Sequence, residues 1–224
     1  MKAMILAAGL GTRMRPLTNY TPKPLLLVGH KPLIEWQIDK LVAAGIREIV
    51  INIAHLGWQI PEALGSGDRW NIQIRYSDEQ REGALETAGG IIKALPLLGT
   101  QPFLVINGDI WCDLDYSTLS LNADDLAQLV LVPNPSHHPN GDFALSEGRV
   151  RAEGAPPLYT FSGIGLYSPK LFSNLPTGKR PLAPLLRAAM AQKRVGGQLY
   201  KGDWRDIGTP ERLHQLDDEL VASA

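Results

Sequence analysis

The chain has 224 residues, 44% of them apolar, enough for one large domain with a continuous core. Its 22 basic and 23 acidic side chains leave a net charge of -1, which excludes the general positive field that holds nucleic acid or an anionic membrane. The single cysteine, Cys112, excludes an intramolecular disulfide and a Cys/His zinc cluster; with an N-terminal apolar run too short for a signal segment, it predicts a cytoplasmic protein.

Apolar runs of strand length alternate with helix-period stretches, the pattern of a sheet wrapped by helices. Residues 3–7 open it as a strand. Pro32, the helical spacing of Ile34, Ile38, Leu41 and Val42, and Gly45 then predict a crossover helix. Residues 49–53 read as a buried strand, and Ile72, Ile74 and Tyr76 alternate as on a half-exposed one. A helix over about 88–95 leads to the apolar strand 103–106, which stops at Asn107-Gly108-Asp109; carboxyl ends of such strands carry ligands.

Farther on, residues 129–132 predict a strand and 134–142 a turn-rich loop with His137 and His138. Residues 159–167 resemble a strand interrupted at Ser162-Gly163, 184–192 have a helical pattern, and 210–221 read as a helix capped by Thr209. No linker or repeat divides the chain, so it is expected to form one domain, with any boundary between its halves near residue 110.

The most informative stretch is Leu6-Ala7-Ala8-Gly9-Leu10-Gly11-Thr12-Arg13, continuing through Arg15-Pro16-Leu17-Thr18 to Pro22-Lys23-Pro24. Residues 1–34 hold five basic side chains (Lys2, Arg13, Arg15, Lys23, Lys31) and no acidic one. Small residues let backbone N–H groups approach a ligand, and with Arg and Lys nearby they make an anion site, phosphate above all. Met14 stands where a dinucleotide fingerprint needs its third glycine, and Gly11-Thr12-Arg13 lacks the Gly-Lys-Ser/Thr of a P-loop. The phosphate loop is therefore of another kind.

These residues resemble the signature of the sugar-1-phosphate nucleotidyltransferases, G-x-G-T-R-x-x-P-L-T followed by P-K-P, with every signature position present. Leu85-Glu86-Thr87-Ala88-Gly89-Gly90, Asn107-Gly108-Asp109 and Asp206-Ile207-Gly208-Thr209-Pro210 extend the resemblance over nearly the whole chain. Glu86 and the 134–143 stretch look like the short bacterial branch that acts on N-acetylmuramate 1-phosphate in cell-wall recycling.

The resemblance implies an α/β, Rossmann-like fold of the GT-A type: a mixed, mainly parallel central sheet flanked by helices, with a smaller sugar-binding subregion. Residues 1–110 would form the nucleotide-binding half and 111–224 the sugar-binding half of one catalytic domain, with no carboxyl-terminal β-helix. The implied reaction transfers a uridylyl group from UTP to the sugar phosphate and releases pyrophosphate, with Mg2+ as cofactor and neither nucleic acid, membrane nor protein as partner. No protein nucleophile is needed, because a phosphate monoester already attacks; catalysis must come from alignment and charge neutralisation.

Carried over by position, Arg13 holds the β- and γ-phosphates, Lys23 bridges the α-phosphate and the sugar phosphate, and Asp109 and Asp206 hold the metal. Leu6, Ala7, Ala8, Gly9, Gly11 and Thr12 join Arg13 and Lys23 around the nucleotide, with Gly83, Glu86 and Thr87 opposite. Asn107, Asp142, Ser162 and Gly163 fall where the family contacts the sugar. Glu86 departs from the glycine that many members carry. His137 and His138 are read as flanking the pocket, since this chemistry needs no general base, and Trp111 and Trp204 as walls near the metal ligands. Guanylyl transfer to mannose 1-phosphate is the enzymatic alternative and a non-catalytic nucleotide-sugar sensor the non-enzymatic one; the retained Arg13, Lys23, Asp109 and Asp206 argue against the sensor.

Overall fold

The computed structural model describes residues 1–222; residues 223 and 224, the end of the expected domain, lie outside the described residues. In chain order the first half holds β1 (Lys2–Leu6), β2 (Leu27–Val28), β3 (Lys31–Pro32), α1 (Leu33–Ala43), β4 (Glu48–Ile53), α2 (Gln59–Leu64), β5 (Gln73–Asp78), α3 (Glu86–Leu98) and β6 (Phe103–Asn107). The second half adds β7 (Ile110–Cys112), β8 (Ala127–Val132), β9 (Phe143–Ser146), β10 (Arg149–Arg151), β11 (Leu158–Tyr167), α4 (Ala183–Ala191), β12 (Val195–Leu199), β13 (Trp204–Asp206) and α5 (Pro210–Ala222).

One nine-stranded sheet, ordered β5-β4-β1-β6-β11-β8-β12-β10-β9, runs through both halves. The pairs β5–β4, β4–β1 and β1–β6 are parallel, because α1, α2 and α3 carry the chain back between them. From β6 onward the pairing turns antiparallel through β11, with β8–β12 the remaining parallel pair. The sheet is mixed, as expected, but not mainly parallel: four of its pairings are parallel and five antiparallel, because the chain returns by hairpins and long loops after β6, and three of the four parallel pairs lie in the half assigned to the nucleotide.

Successive residues of the central strands feed opposite cores, which is why these strands read as unbroken apolar runs. Ala3, Ile5, Ile49, Ile51, Leu104 and Ile106 pack with Ile34, Ile38 and Leu41 of α1 and with Ile60 and Leu64 of α2. Met4, Val50, Phe103 and Val105 face the other way, against Ile91 and Ile92 of α3 and Leu186 and Met190 of α4. Burying each such side chain stabilises the fold by about 1.5–3 kcal/mol. Cys112 belongs to the first core; burial pushes its thiol up to about 11, so it is an inert packing residue.

The interruption expected at Ser162-Gly163 is a bulge in β11: its register with β8 shifts between Phe161 and Gly165. Gly163, at φ 80°, sits so close to Asn107 that a Cβ there would lie 2.5 Å from Asn107 Nδ2. The bulge thus presses β11 against the strand end that carries the site. Among the described residues, no helix is long and apolar enough to cross a membrane.

Candidate active site

A cleft of about 240 Å³ opens at the carboxyl ends of β1, β4 and β6, lined by Leu6 to Gly9, Lys23, Pro24, Asn52, Glu79, Ala84, Glu86, Thr87 and Asn107 to Asp109. Its floor is held by a buried polar relay. The Ala7 N–H donates to Asn52 Oδ1 (2.8 Å), and Asn52 Nδ2 donates to Glu79 Oε1 (2.7 Å). The Leu85 N–H donates to the other Glu79 oxygen at 2.9 Å. The small-residue loop, β4 and the segment before α3 are therefore tied through two side chains. Gly90 makes room for them: a Cβ there would lie 2.7 Å from Glu79 Oε1.

Asn52 and Glu79 escaped the sequence reading, although a lone amide inside Ile49-Val50-Ile51-Asn52-Ile53 was a visible signal: a buried polar group must be paired. Glu79→Ala leaves Asn52 and the Leu85 N–H without an acceptor. The expected outcome is a loss of about 1–3 kcal/mol of stability together with a raised KM for the nucleotide, read by denaturant melts and steady-state kinetics.

The phosphate loop closes beside this floor. Gly11 adopts φ 61°, and a Cβ there would lie 2.9 Å from Thr18 Cγ2, so only glycine fits the turn. Thr18 Oγ1 donates back to Gly11 O at 2.7 Å. The one-turn helix Thr12–Met14 buries Met14 and leaves Thr12 and Arg13 exposed. Arg13 reaches toward the carboxyl-terminal segment: a Cβ on Gly208 would lie 3.4 Å from Arg13 Nη1 and 3.0 Å from Asp206 Oδ2. Lys23 is drawn inward, its side chain only 11% exposed and its Nζ 2.7 Å from Asp109 Oδ2.

Backbone pairing brings the two aspartates together from distant parts of the chain. The Gly108 N–H donates to Leu6 O (2.9 Å), which turns the chain out of β6 at Asp109. There β7 pairs antiparallel with β13, with Ile110 opposite Asp206, and the Ile207 N–H donates to Asp109 O at 2.7 Å. Asp206 meets Arg212 Nη1 in a close ion pair and His137 Nε2 at 3.0 Å. Two partly exposed carboxylates on adjoining strand ends are hard oxygen donors, and an ion that takes one or two carboxylates plus substrate phosphates fits them. Among the described residues no group of three or more His, Cys, Asp or Glu could form a fuller cage.

A second cavity of about 430 Å³ adjoins the first and shares Glu86, Thr87 and Asn107 with it. Asp142, Phe143, Phe161, Pro181, Leu182, Ala183 and Leu186 form the rest of its wall. Asp142 is braced by the Phe161 N–H (2.8 Å) and His138 Nε2 (3.1 Å). Ser162 and Gly163 lie behind this wall in the bulge, where the Ser162 hydroxyl donates to Val130 O at 2.7 Å. Gly83, at φ 76°, lies outside both linings. His137 and His138 have carboxylate partners, Asp206 from far along the chain and Asp142 four residues on. Trp204 lines a small recess with His137, Asp206 and Arg212, whereas Trp111 packs edge-on against Trp36 with ring centres 4.9 Å apart.

Glu86 joins the two cavities in an unusual backbone state, φ 61°, that costs a side-chain-bearing residue about 1–2 kcal/mol. Its carboxylate lies 3.6 Å from Lys179 Nζ. Glu86→Gly relieves that strain, so the expected result is an unchanged or higher melting temperature combined with a several-fold shift in KM for the sugar phosphate. A lower melting temperature with unaltered KM would contradict a binding role.

The sequence profile of the Nucleotidyl transferase family matches residues 2–147, which include the phosphate loop, Lys23 and Asp109. The chain belongs to that family. This transferase is 53% identical over 96% of both chains to an N-acetylmuramate alpha-1-phosphate uridylyltransferase of Neisseria meningitidis. A protein of the same name from Caulobacter vibrioides is 38% identical over 93% of this chain and 92% of its own. In fold, the transferase superposes with a TM-score of 0.85, at 25% identity, on a Bacillus anthracis chain described as a glucose-1-phosphate thymidylyltransferase and solved with sucrose. That match covers 99% of this chain and 95% of the other. The resemblance drawn from the motifs is borne out: the protein is a sugar-1-phosphate nucleotidyltransferase with an α/β fold.

Proposed function

We propose that this enzyme transfers a uridylyl group from UTP to N-acetylmuramate 1-phosphate, forming UDP-N-acetylmuramate and pyrophosphate. The observation that carries the choice of sugar and base is the 53% identity, over nearly full length, to a protein named for that activity. The paired cavities support it: a cleft over the small-residue loop for the nucleotide, and a roomier neighbour for the sugar.

In the reaction a sugar-phosphate oxygen forms a bond to the α-phosphorus, and the bond from that phosphorus to the bridging oxygen breaks. Pyrophosphate leaves with the electron pair. Lys23, between the small-residue loop and Asp109, neutralises charge where the α-phosphate and the incoming phosphate meet, and so aligns the attack. Arg13 offers its planar fork to the β- and γ-phosphates and stabilises the departing pyrophosphate. The Ala8 and Gly9 backbone and the Thr87 side chain border the nucleotide, and Asn107 and Asp142 the sugar. Asp109 and Asp206 would hold Mg2+, which when bound reduces the repulsion among the phosphates. The buried free thiol of Cys112 agrees with a cytoplasmic setting.

The test is pyrophosphate release with Mg2+ in four parallel mixtures: UTP with N-acetylmuramate 1-phosphate, GTP with mannose 1-phosphate, dTTP with glucose 1-phosphate, and UTP with N-acetylglucosamine 1-phosphate. Release in the first at least tenfold above the others supports the assignment. Preference for another pair overturns the substrate and keeps the chemistry, and silence in all four points to a nucleotide-sugar sensor.

A further inference from the structure

The sugar proposed above differs from N-acetylglucosamine by a lactyl ether, a methyl group beside a carboxylate that is ionised at neutral pH. A site that selects it needs apolar surface next to an uncommitted cation. The apolar part is present: Pro181, Leu182, Ala183 and Leu186 make one side of the sugar cavity.

Three cations stand near that side, and they differ in what they already do. Lys179 faces the Glu86 carboxylate. Arg180 is pinned through its backbone, donating to Leu85 O (2.9 Å) and accepting from the Gly89 N–H (3.1 Å), and its Nε is buried without a partner. Arg180 and Arg187 both lack a side-chain partner among the described residues, and Arg187 is the one set against an aromatic of the cavity wall. It follows Ala183 by four residues on α4, hence on the face that Ala183 and Leu186 turn to the cavity. Its guanidinium carbon lies 6.0 Å from the ring centre of Phe143, an aromatic of the cavity wall. Among the described residues Arg187 has no ion pair or hydrogen bond. Asp142, the acid beside Phe143, is taken by His138 and the Phe161 N–H.

We propose that Arg187 receives the carboxylate of the sugar's lactyl group while the 181–186 wall takes its methyl, making Arg187 the residue that selects an acidic sugar phosphate. The proposal rests on the function given above. A guanidinium held over an aromatic ring keeps its fork in a fixed plane, and two parallel N–H bonds to a carboxylate are stronger and more directional than a lysine contact.

The experiment compares N-acetylmuramate 1-phosphate with its carboxamide counterpart, which keeps the shape and removes the charge, in the wild type, Arg187→Ala and Arg187→Lys. The wild type should favour the acid by about ten- to a hundredfold in kcat/KM, mostly through KM. In Arg187→Ala the ratio should fall to within about twofold of unity, and Arg187→Lys should keep part of it. Arg187 is exposed, so melting curves should confirm that both variants fold. A wild type indifferent to the amide, or an Ala variant that keeps the full ratio, overturns the role of Arg187 and leaves the uridylyl transfer standing. Failure of the wild type to use the muramate substrate, with turnover of another sugar phosphate, overturns the function and this assignment together.

Discussion

Lys23→Ala is expected to lower kcat by about a thousandfold with a smaller change in KM for UTP, because in the proposed reaction the lost charge acts where the two phosphates meet. The side chain is about nine-tenths shielded from water at 11% exposure, so its field is screened little. Removing it also leaves Asp109 without the cation that now sits 2.7 Å away, and a shifted carboxylate would compound the loss. Lys23→Arg restores the charge but puts a planar fork where a compact ammonium fits, so it should recover only part of the rate. Single-turnover measurements separate the chemical step from product release. Turnover by the alanine variant within about tenfold of the wild type would remove Lys23 from the mechanism.

Asp109→Asn is expected to cost about a hundredfold or more in kcat/KM and to move the midpoint of a Mg2+ titration to higher concentration, since a neutral amide is a poorer oxygen donor than a carboxylate. The amide still fits the turn after β6, where the Asp109 carbonyl continues to accept from the Ile207 N–H, so the fold should hold. The titration distinguishes this loss from that of Lys23→Ala. Both variants break the ion pair, and only Asp109→Asn removes a proposed donor for the metal. An unshifted midpoint would mean that Asp109 serves to position Lys23 alone.

The central strands of the parallel half were legible because they are buried on both faces and read as apolar runs that stop at the cleft, and the edge strand β5 because it alternates. Ile49 to Ile53 and Phe103 to Ile106 are such runs. β12 was not legible: Val-Gly-Gly-Gln-Leu has little intrinsic strand preference. Its glycines are imposed by neighbours, since a Cβ on Gly197 would lie 2.3 Å from Val150 Cγ2 and one on Gly196 2.1 Å from Gln128 Oε1. The six-residue α2 and the short hairpin β9–β10 were missed for want of length, being too brief to show a period. At the site, glycine and charge patterning marked the phosphate loop, but the roles of Asp109 and Asp206 came from resemblance. What joins them is the β7–β13 ladder, a pairing between segments with no shared local pattern.

That ladder has a bearing on biosynthesis. The nucleotide floor, the phosphate loop, Lys23 and Asp109 all precede residue 110, whereas Asp206 and Arg212 are made about a hundred residues later. A growing chain can therefore hold β1, β4, β5 and β6 before it holds the second carboxylate, but both cores stay open until β8, β11 and α4 arrive. On the proposed roles of Asp109 and Asp206, activity should appear only once β13 is zipped onto β7.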